Sequence, residues 1–408
     1  MTPTPTPRQT EYQDWELGLF LHFGIRTFYE GWKDMDDRPM TADRFAPTDL
    51  DCEQWAATAR EAGCKYIVLT AKHHDGFANW PSKTTDFSVA ASPWKNGKGD
   101  VIREYVDACR KYGLKIGLYY SPYDAASPVY GDERAYDDYF VTQISELLEP
   151  YGEIDILWFD GCGSAGHTYD WKRIIGEIRR MQPNILLFGA DGDIRWIGNE
   201  DGYAPLGTRN VVDVAEVGFR ARPEPDGTPI WAPPECDSRM RAANWFFSQD
   251  DEHTVKTPEE LLGMYYYSVG RGCNMLVNIG PDRRGRLPAK DSANLLSFGR
   301  EVERRFRAPV ATLSSCTRAG NRWEFSSDGR FLVDHAVIAE DISKGEHIER
   351  FAIKVDAPEP ITVYEGYTVG HKAICQFPAI LARKVWLEVL ESNGDVSLRT
   401  LEFHHAAG

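Results

Sequence analysis

Short apolar runs recur along this chain, and amphipathic segments lie between many of them. That alternation constrains the fold more than any other feature. Eight runs read as strands: Leu17–Gly24, Lys65–Ala71, Lys115–Ser121, Asp155–Gly161, Asn184–Gly189, Asp213–Val217, Pro229–Glu235 and Cys273–Gly280. YIVLTA, ILWFD and MLVNIG are apolar nearly throughout, as are strands covered on both faces of a parallel sheet. The helical candidates are Cys52–Ala62, Asp100–Tyr112, Ala135–Tyr151, Tyr169–Met181 and a segment from Thr257 to about Gly270. Gly63, Gly113 and Gly152 stop the first three, and Thr257-Pro258-Glu259-Glu260 is start chemistry for the last. Eight strands with crossover helices predict an α/β fold, a (β/α)8 TIM-like barrel. The weak helices of its fifth to seventh units predict irregularity there.

After Arg307 the pattern changes to short β-prone runs such as RFLVDHAVI, RFAIKV, ITVYEG and KVWLEVL, with turn signals at Ser327-Asp328-Gly329 and Asn393-Gly394. This predicts a catalytic barrel over residues 1–308 and a C-terminal antiparallel β-sandwich over 309–408. The opening Thr-Pro repeat, Thr2 to Pro7, reads as an extended tail.

The net charge is −16, so phosphate backbones and anionic membrane surfaces repel the chain, and nucleic acid and membrane are poor partners. No run has the apolar length of a bilayer span, and no signal-peptide pattern opens the chain. A cytoplasmic place is expected for the chain as it stands, or a secreted or periplasmic one if a leader was removed. Oligomeric state is not legible. The 8 cysteines form no C-x-x-C pair, which predicts buried free thiols in a reducing compartment.

In such a barrel the working residues stand at the C-terminal ends of the strands. Polar and aromatic side chains recur there: His22, His73-His74, Tyr119-Tyr120-Ser121, Trp158 and Asp160, Arg195-Trp196 and Glu200, Glu235 and Asp237, and Asn278. Asp160 is the sharpest candidate. Alternation puts it on the same side of its strand as Trp158, where a carboxylate can attack an anomeric carbon beside a ring that stacks on the sugar. Its structural alternative is a loop cap. A retaining glycosidase needs a second carboxyl group about 5–5.5 Å away, and Glu200 and Glu235 are the candidates. Glu235 alternatively holds Arg239 or a loop, and Glu200 is alternatively a solvated loop acid. His73-His74 invites a metal reading, but neighbours on an extended strand point to opposite sides unless the chain bends. Sugar hydroxyls suit these imidazoles better. Glu30 and Trp32, in the first loop, are either ligands or loop packing. His404-His405 read as surface residues.

In order along the chain, LFLHFGIRTF, KYIVLTAKHHDGFANWPSKTTDFSV, YGEIDILWFDG, DIRWIGNEDGYA, PPECDSR and SVGRGCNMLVNIGPDRRGRLP resemble the α-L-fucosidases of glycoside hydrolase family 29. The resemblance covers nearly the whole chain. It implies a retaining mechanism through a covalent fucosyl–enzyme ester, with Asp160 as nucleophile and His22, His73, His74, Tyr119 and Trp158 in the fucose pocket. The RWxGNE stretch resembles the branch preferring α-1,3/1,4-fucosyl branches of Lewis-type glycans, which implies Glu200 as acid/base with Arg195 nearby. The partner implied is a fucosylated oligosaccharide or glycoconjugate, and neither metal nor organic cofactor is implied. The family's adjacent Glu-Trp after HFG becomes Tyr29-Glu30-Gly31-Trp32 here, and the pattern near Trp245 also departs. Two other readings stand beside it: a lectin-like homologue that binds fucose without cleaving it, and a metal-dependent barrel hydrolase using His22, His73 and His74.

Overall fold

The computed structural model describes residues 3–29, 39–189, 192–213 and 229–406. Its first sheet contains β1 (Leu17–Leu21), β2 (Tyr66–Lys72), β3 (Lys115–Tyr120), β4 (Ile156–Phe159), β5 (Leu186–Phe188) and β6 (Arg195–Trp196). Between β6 and its neighbour β9 (Pro234–Arg239) the chain makes a separate antiparallel pair, β7 (Val211–Asp213) and β8 (Pro229–Trp231). β10 (Asn274–Asn278) completes the set. The order is β5-β4-β3-β2-β1-β10-β9-β6, and every pairing in it is parallel. A parallel bridge from Phe188 to Ile194 draws the two edges together, giving a nearly closed eight-stranded barrel. The expected TIM-like architecture is present, and its irregular part is where the helices are weak.

Two expected strands are corrected. The sixth barrel strand is Arg195–Trp196, not Asp213–Val217; of the latter only Asp213 lies within the described residues, in the separate pair. The run Pro229–Glu235 is broken in two. Pro233 and Pro234 lack the N–H that a continuous ladder requires, so β8 ends at Trp231 and the barrel strand begins at Pro234. That strand, PECDSR, carries three charged residues yet is buried through Ser238, which hides it from any reading of apolar runs.

The helices are α1 (Pro7–Trp15), α2 (Cys52–Glu61), α3 (Val101–Lys111), α4 (Glu133–Leu148), α5 (Trp171–Met181), α6 (Pro258–Tyr267) and α7 (Ala289–Phe306). Asp51, Asp100, Asp132, Asp170 and Thr257 cap α2 through α6 by accepting a backbone N–H near the helix start. α1 follows the Thr-Pro tail directly: Thr6 and Gln9 form a capping box around Pro7 at the first turn. Its Tyr12 joins a barrel-interior cluster with Phe20, Tyr66, Tyr119, Trp158 and Phe188.

The C-terminal strands are β11 (Ala311–Thr312), β12 (Thr317–Ala319), β13 (Arg322–Glu340), β14 (Ile348–Val355), β15 (Ile361–Gly366), β16 (Ala373–Ser392) and β17 (Leu398–His404). They form an antiparallel sheet in the order β11-β17-β13-β16-β14-β15, with β12 beside β13. Register shifts between β13 and β16 bend these long strands around a core that includes Trp323, Val333, Phe351 and Leu387. His404 is buried against Phe306 rather than lying at the surface. Tyr266 of α6 bonds His335 at 2.7 Å, and Glu346 accepts the backbone N–H groups of Asn210 and Val211, so the sheet is pinned to the barrel. No described helix is long and apolar enough to cross a membrane.

Candidate active site

A cavity of about 410 Å³ opens at the C-terminal ends of the barrel strands. Its wall includes His22, His73, His74, Tyr119, Trp158, Asp160, Arg195 and Glu200. These eight residues, each given a catalytic or sugar-binding role from the sequence, therefore meet in one place. Glu30 and Trp32 lie outside the described residues.

Asp160 follows the last residue of β4 and is about a quarter exposed. Its Oδ2 accepts the Tyr119 hydroxyl at 2.7 Å and its Oδ1 accepts the Cys162 backbone N–H at 2.8 Å. Both bonds are stronger to the ionised carboxylate, and they fix its plane. His74 Nε2 stands 3.5 Å from the same Oδ2.

The histidine tautomers follow from their partners. Ser121 donates its hydroxyl proton to the Tyr123 carbonyl, so Ser121 Oγ accepts from His74 Nδ1–H at 2.6 Å. Asn278 spends an amide N–H on the Trp245 carbonyl, so its Oδ1 accepts from His22 Nδ1–H at 2.7 Å. The neutral His22 ring then keeps Nε2 as an acceptor for a ligand hydroxyl, while His74 Nε2 faces Asp160. Burial, with Arg26 and His74 nearby, lowers His22 to about 3. Burial also pushes His73 well below its ordinary value. His73 lies parallel to Tyr119, with centroids 5.3 Å apart, and its buried Nδ1 has no partner among the described residues.

β2 ends at Lys72, so the chain turns at His73-His74 and the two rings come within 4.2 Å of each other. The bend that the metal reading required is present. His73, His74 and Asp160 offer ligand atoms within 4.8 Å of one another.

One face of β9 organises the rest. Glu235, Asp237 and Arg239 are two residues apart and share that face. Glu235 sits beneath the cavity and is not part of its wall. Its Oε2 accepts the Tyr12 and Tyr66 hydroxyls, each at 2.7 Å, and its Oε1 accepts the Trp158 indole N–H at 2.8 Å. It is wholly buried and its carboxyl is raised by that burial. Glu235 therefore has no ligand-facing oxygen to offer as an acid. Asp237 reaches the cavity wall and accepts the Trp196 indole N–H at 2.7 Å. Arg239 stands 3.9 Å from Glu200, whose side chain is about half exposed.

Asp237 and Trp196, which the sequence places at strand ends without a ligand role, and Trp245 also line the wall. Alternation from Glu235 is the signal that points to Asp237. Cys162 also reaches the wall and is exposed, where a buried thiol was expected.

The α-L-fucosidase family model matches residues 4–305. The chain belongs to the α-L-fucosidase family. Alpha-L-fucosidase 1 of Arabidopsis thaliana is 33% identical over 420 residues, spanning 92% of this chain and 82% of that protein. A glycoside hydrolase 29 family member from a rumen bacterium superposes with TM-score 0.89 at 32% identity, covering 99% of this chain and 78% of that one. A glycoside hydrolase 29 fucosidase of Ruminococcus gnavus, solved with fucose, superposes with TM-score 0.85 at 27% identity, covering 98% of this chain and 95% of that one. This α-L-fucosidase family member is thus a glycoside hydrolase of family 29, with the barrel and the C-terminal sheet its relatives share.

Proposed function

We propose that the protein is a retaining exo-α-L-fucosidase acting on terminal fucose, with Asp160 as nucleophile and Glu200 as acid/base. The observation that carries this is the Asp160 carboxylate, held by Tyr119 and the Cys162 N–H at the mouth of a cavity that Glu200 also lines. A fucosyl ring entering the cavity meets the imidazoles of His22 and His74 and the rings of Tyr119 and Trp158. Asp160 forms a bond to the anomeric carbon as the glycosidic bond breaks, and Glu200 gives its proton to the leaving oxygen. Water then attacks the fucosyl–Asp160 ester, returning a proton to Glu200 and restoring the carboxylate. The substrate class proposed is α-1,3/1,4-fucosyl branches of Lewis-type glycans, with the leaving sugar beside Arg195 and Trp196. Residues 1–308 form the catalytic unit in this reading, and 309–408 buttress it.

The test is fucose release from a Lewis-type trisaccharide and from an aryl α-L-fucoside. Release from the branched sugar with weak aryl activity supports the linkage assignment. Equal activity on both removes that assignment but leaves the fucosidase. Binding without release in folded protein supports the lectin reading instead. The cluster of His73, His74 and Asp160 favours one second reading, a metal-assisted hydrolase. Activity lost to a chelator and restored by zinc supports it.

A further inference from the structure

A second cavity, of about 230 Å³, lies where the barrel meets the C-terminal sheet. Tyr267 and Arg271 form its barrel side, Tyr367 and Thr368 its sheet side, and Leu206 and Gly207 one edge. Nothing in the proposed reaction uses it.

Three observations define its chemistry. Tyr267 is 49% exposed and Tyr367 53%, an unusual display of aromatic surface for residues beside a packed junction. A tyrosine offers an apolar face and a polar tip at once, which matches the C–H face and hydroxyl edge of a pyranose ring. The Thr368 hydroxyl oxygen is buried and without a hydrogen-bond partner among the described residues. Such an orphan leaves a desolvated hydroxyl uncompensated, and a ligand hydroxyl would satisfy it. The charge is already committed: Arg271 donates to the Ala204 carbonyl, and its guanidinium carbon lies 4.5 Å from the Tyr267 ring centroid. Among the described residues, no acidic one lines the cavity. A neutral polyhydroxylated ligand fits this set, and the volume lies below that of ordinary drug-sized pockets, so one ring fills it.

The cavity also shares a loop with the candidate active site. Glu200 lines the first cavity, and Leu206 and Gly207, a few residues later, line the second. Between them the Ala204 N–H donates to the Tyr267 carbonyl at 2.8 Å.

We infer that this junction cavity is a second saccharide-binding site, taking one neutral, unfucosylated pyranose residue of a glycan between Tyr267 and Tyr367, with a hydroxyl on Thr368. Its effect is to raise the local concentration of glycan beside the catalytic barrel.

The experiment measures binding of lactose and of N-acetyllactosamine, neither of which contains fucose, to the full chain by ligand-observed NMR in the presence of saturating L-fucose. Wild type is expected to bind at least one. Tyr267→Ala, Tyr367→Ala and Thr368→Val are each expected to weaken binding roughly tenfold. Aryl fucoside kcat/KM should stay within about twofold. Tyr267 and Tyr367 are half exposed, so their truncation spares the core, and thermal melts verify folding. No binding of either sugar by wild type overturns the inference. So does unchanged binding in folded variants, or loss of aryl activity in parallel with binding. Binding that depends on Tyr267 in a protein that releases no fucose would remove the proposed function and leave this site standing.

Discussion

The Glu235 carboxylate accepts the Trp158 indole N–H at 2.8 Å from beneath the candidate active site. A buried carboxyl group inside the barrel thus sets the position of a ring in the cavity wall, and Trp158 is further clamped by parallel stacking on Phe188 at 3.9 Å. Buried acceptors of this kind are expensive to remove, because every donor that loses its partner pays its own desolvation.

Glu235→Ala leaves the Tyr12 and Tyr66 hydroxyls and the Trp158 N–H unpaired. The expected loss is about 2–5 kcal/mol of stability, with a fall in kcat/KM as Trp158 loses its anchor. Azide should not rescue turnover, since Glu235 transfers no proton to the substrate. Glu200→Ala should retain its melting temperature within a few degrees, and azide should rescue its hydrolysis of an activated fucoside. Rescue of Glu235→Ala instead would exchange the two roles.

Asp237 holds Trp196 as Glu235 holds Trp158. Trp196 stands just before the Glu200 loop, so the bond bears on the leaving-group side of the cavity. Asp237→Asn keeps an acceptor for the indole and should change KM for a Lewis-type trisaccharide by less than about threefold. Asp237→Ala and Trp196→Phe each break the bond and should raise that KM roughly tenfold, about 1.4 kcal/mol. The double variant should lose little more than either single one. Steady-state kinetics on wild type and the four variants checks this.

Stability should respond to acid through the histidines. His22 has an ordinary value of 6.5 and is lowered to about 3 by burial. Between those values the unfolded chain binds a proton that the folded chain does not. Stability is therefore fully present above pH 6.5 and falls as pH drops toward 3, by roughly 1.4 kcal/mol per unit for one proton. His73 is lowered in the same direction and adds to the slope. Denaturant melts of wild type and His22→Asn between pH 4 and 7 should show a shallower dependence in the variant.

If His73, His74 and Asp160 work on the sugar directly, a chelator leaves kcat/KM unchanged within error and added zinc inhibits by occupying Asp160. Dialysis against a chelator followed by aryl fucoside assays measures both effects.

Much of this was legible in the residues. β1 to β5 and β10 bury both faces, so their apolar runs announce them, and aspartates and a threonine mark the starts of five helices. β6 is two residues long and half polar, and β9 hides Glu235 and Asp237 inside the barrel. Neither has the apolar pattern of a strand. The site residues at the ends of β1 to β4 follow from the barrel rule. The position of Glu235 does not, because the side chains that satisfy it, Tyr12, Tyr66 and Trp158, come from three distant segments. The His73-His74 pair shows the same limit: alternation separates the rings, and the strand end at Lys72 reunites them.

The central claim is the covalent ester on Asp160. Incubation with a 2-deoxy-2-fluoro-fucosyl fluoride, followed by proteolysis and mass spectrometry of the peptides, tests it directly. Fluoride leaves as the anomeric carbon bonds to the carboxylate, and the fluorine at C2 slows hydrolysis of the ester. One fluorofucosyl group per chain, on Asp160, is the expected result. Turnover without any adduct, or an adduct on another carboxylate, would contradict the account.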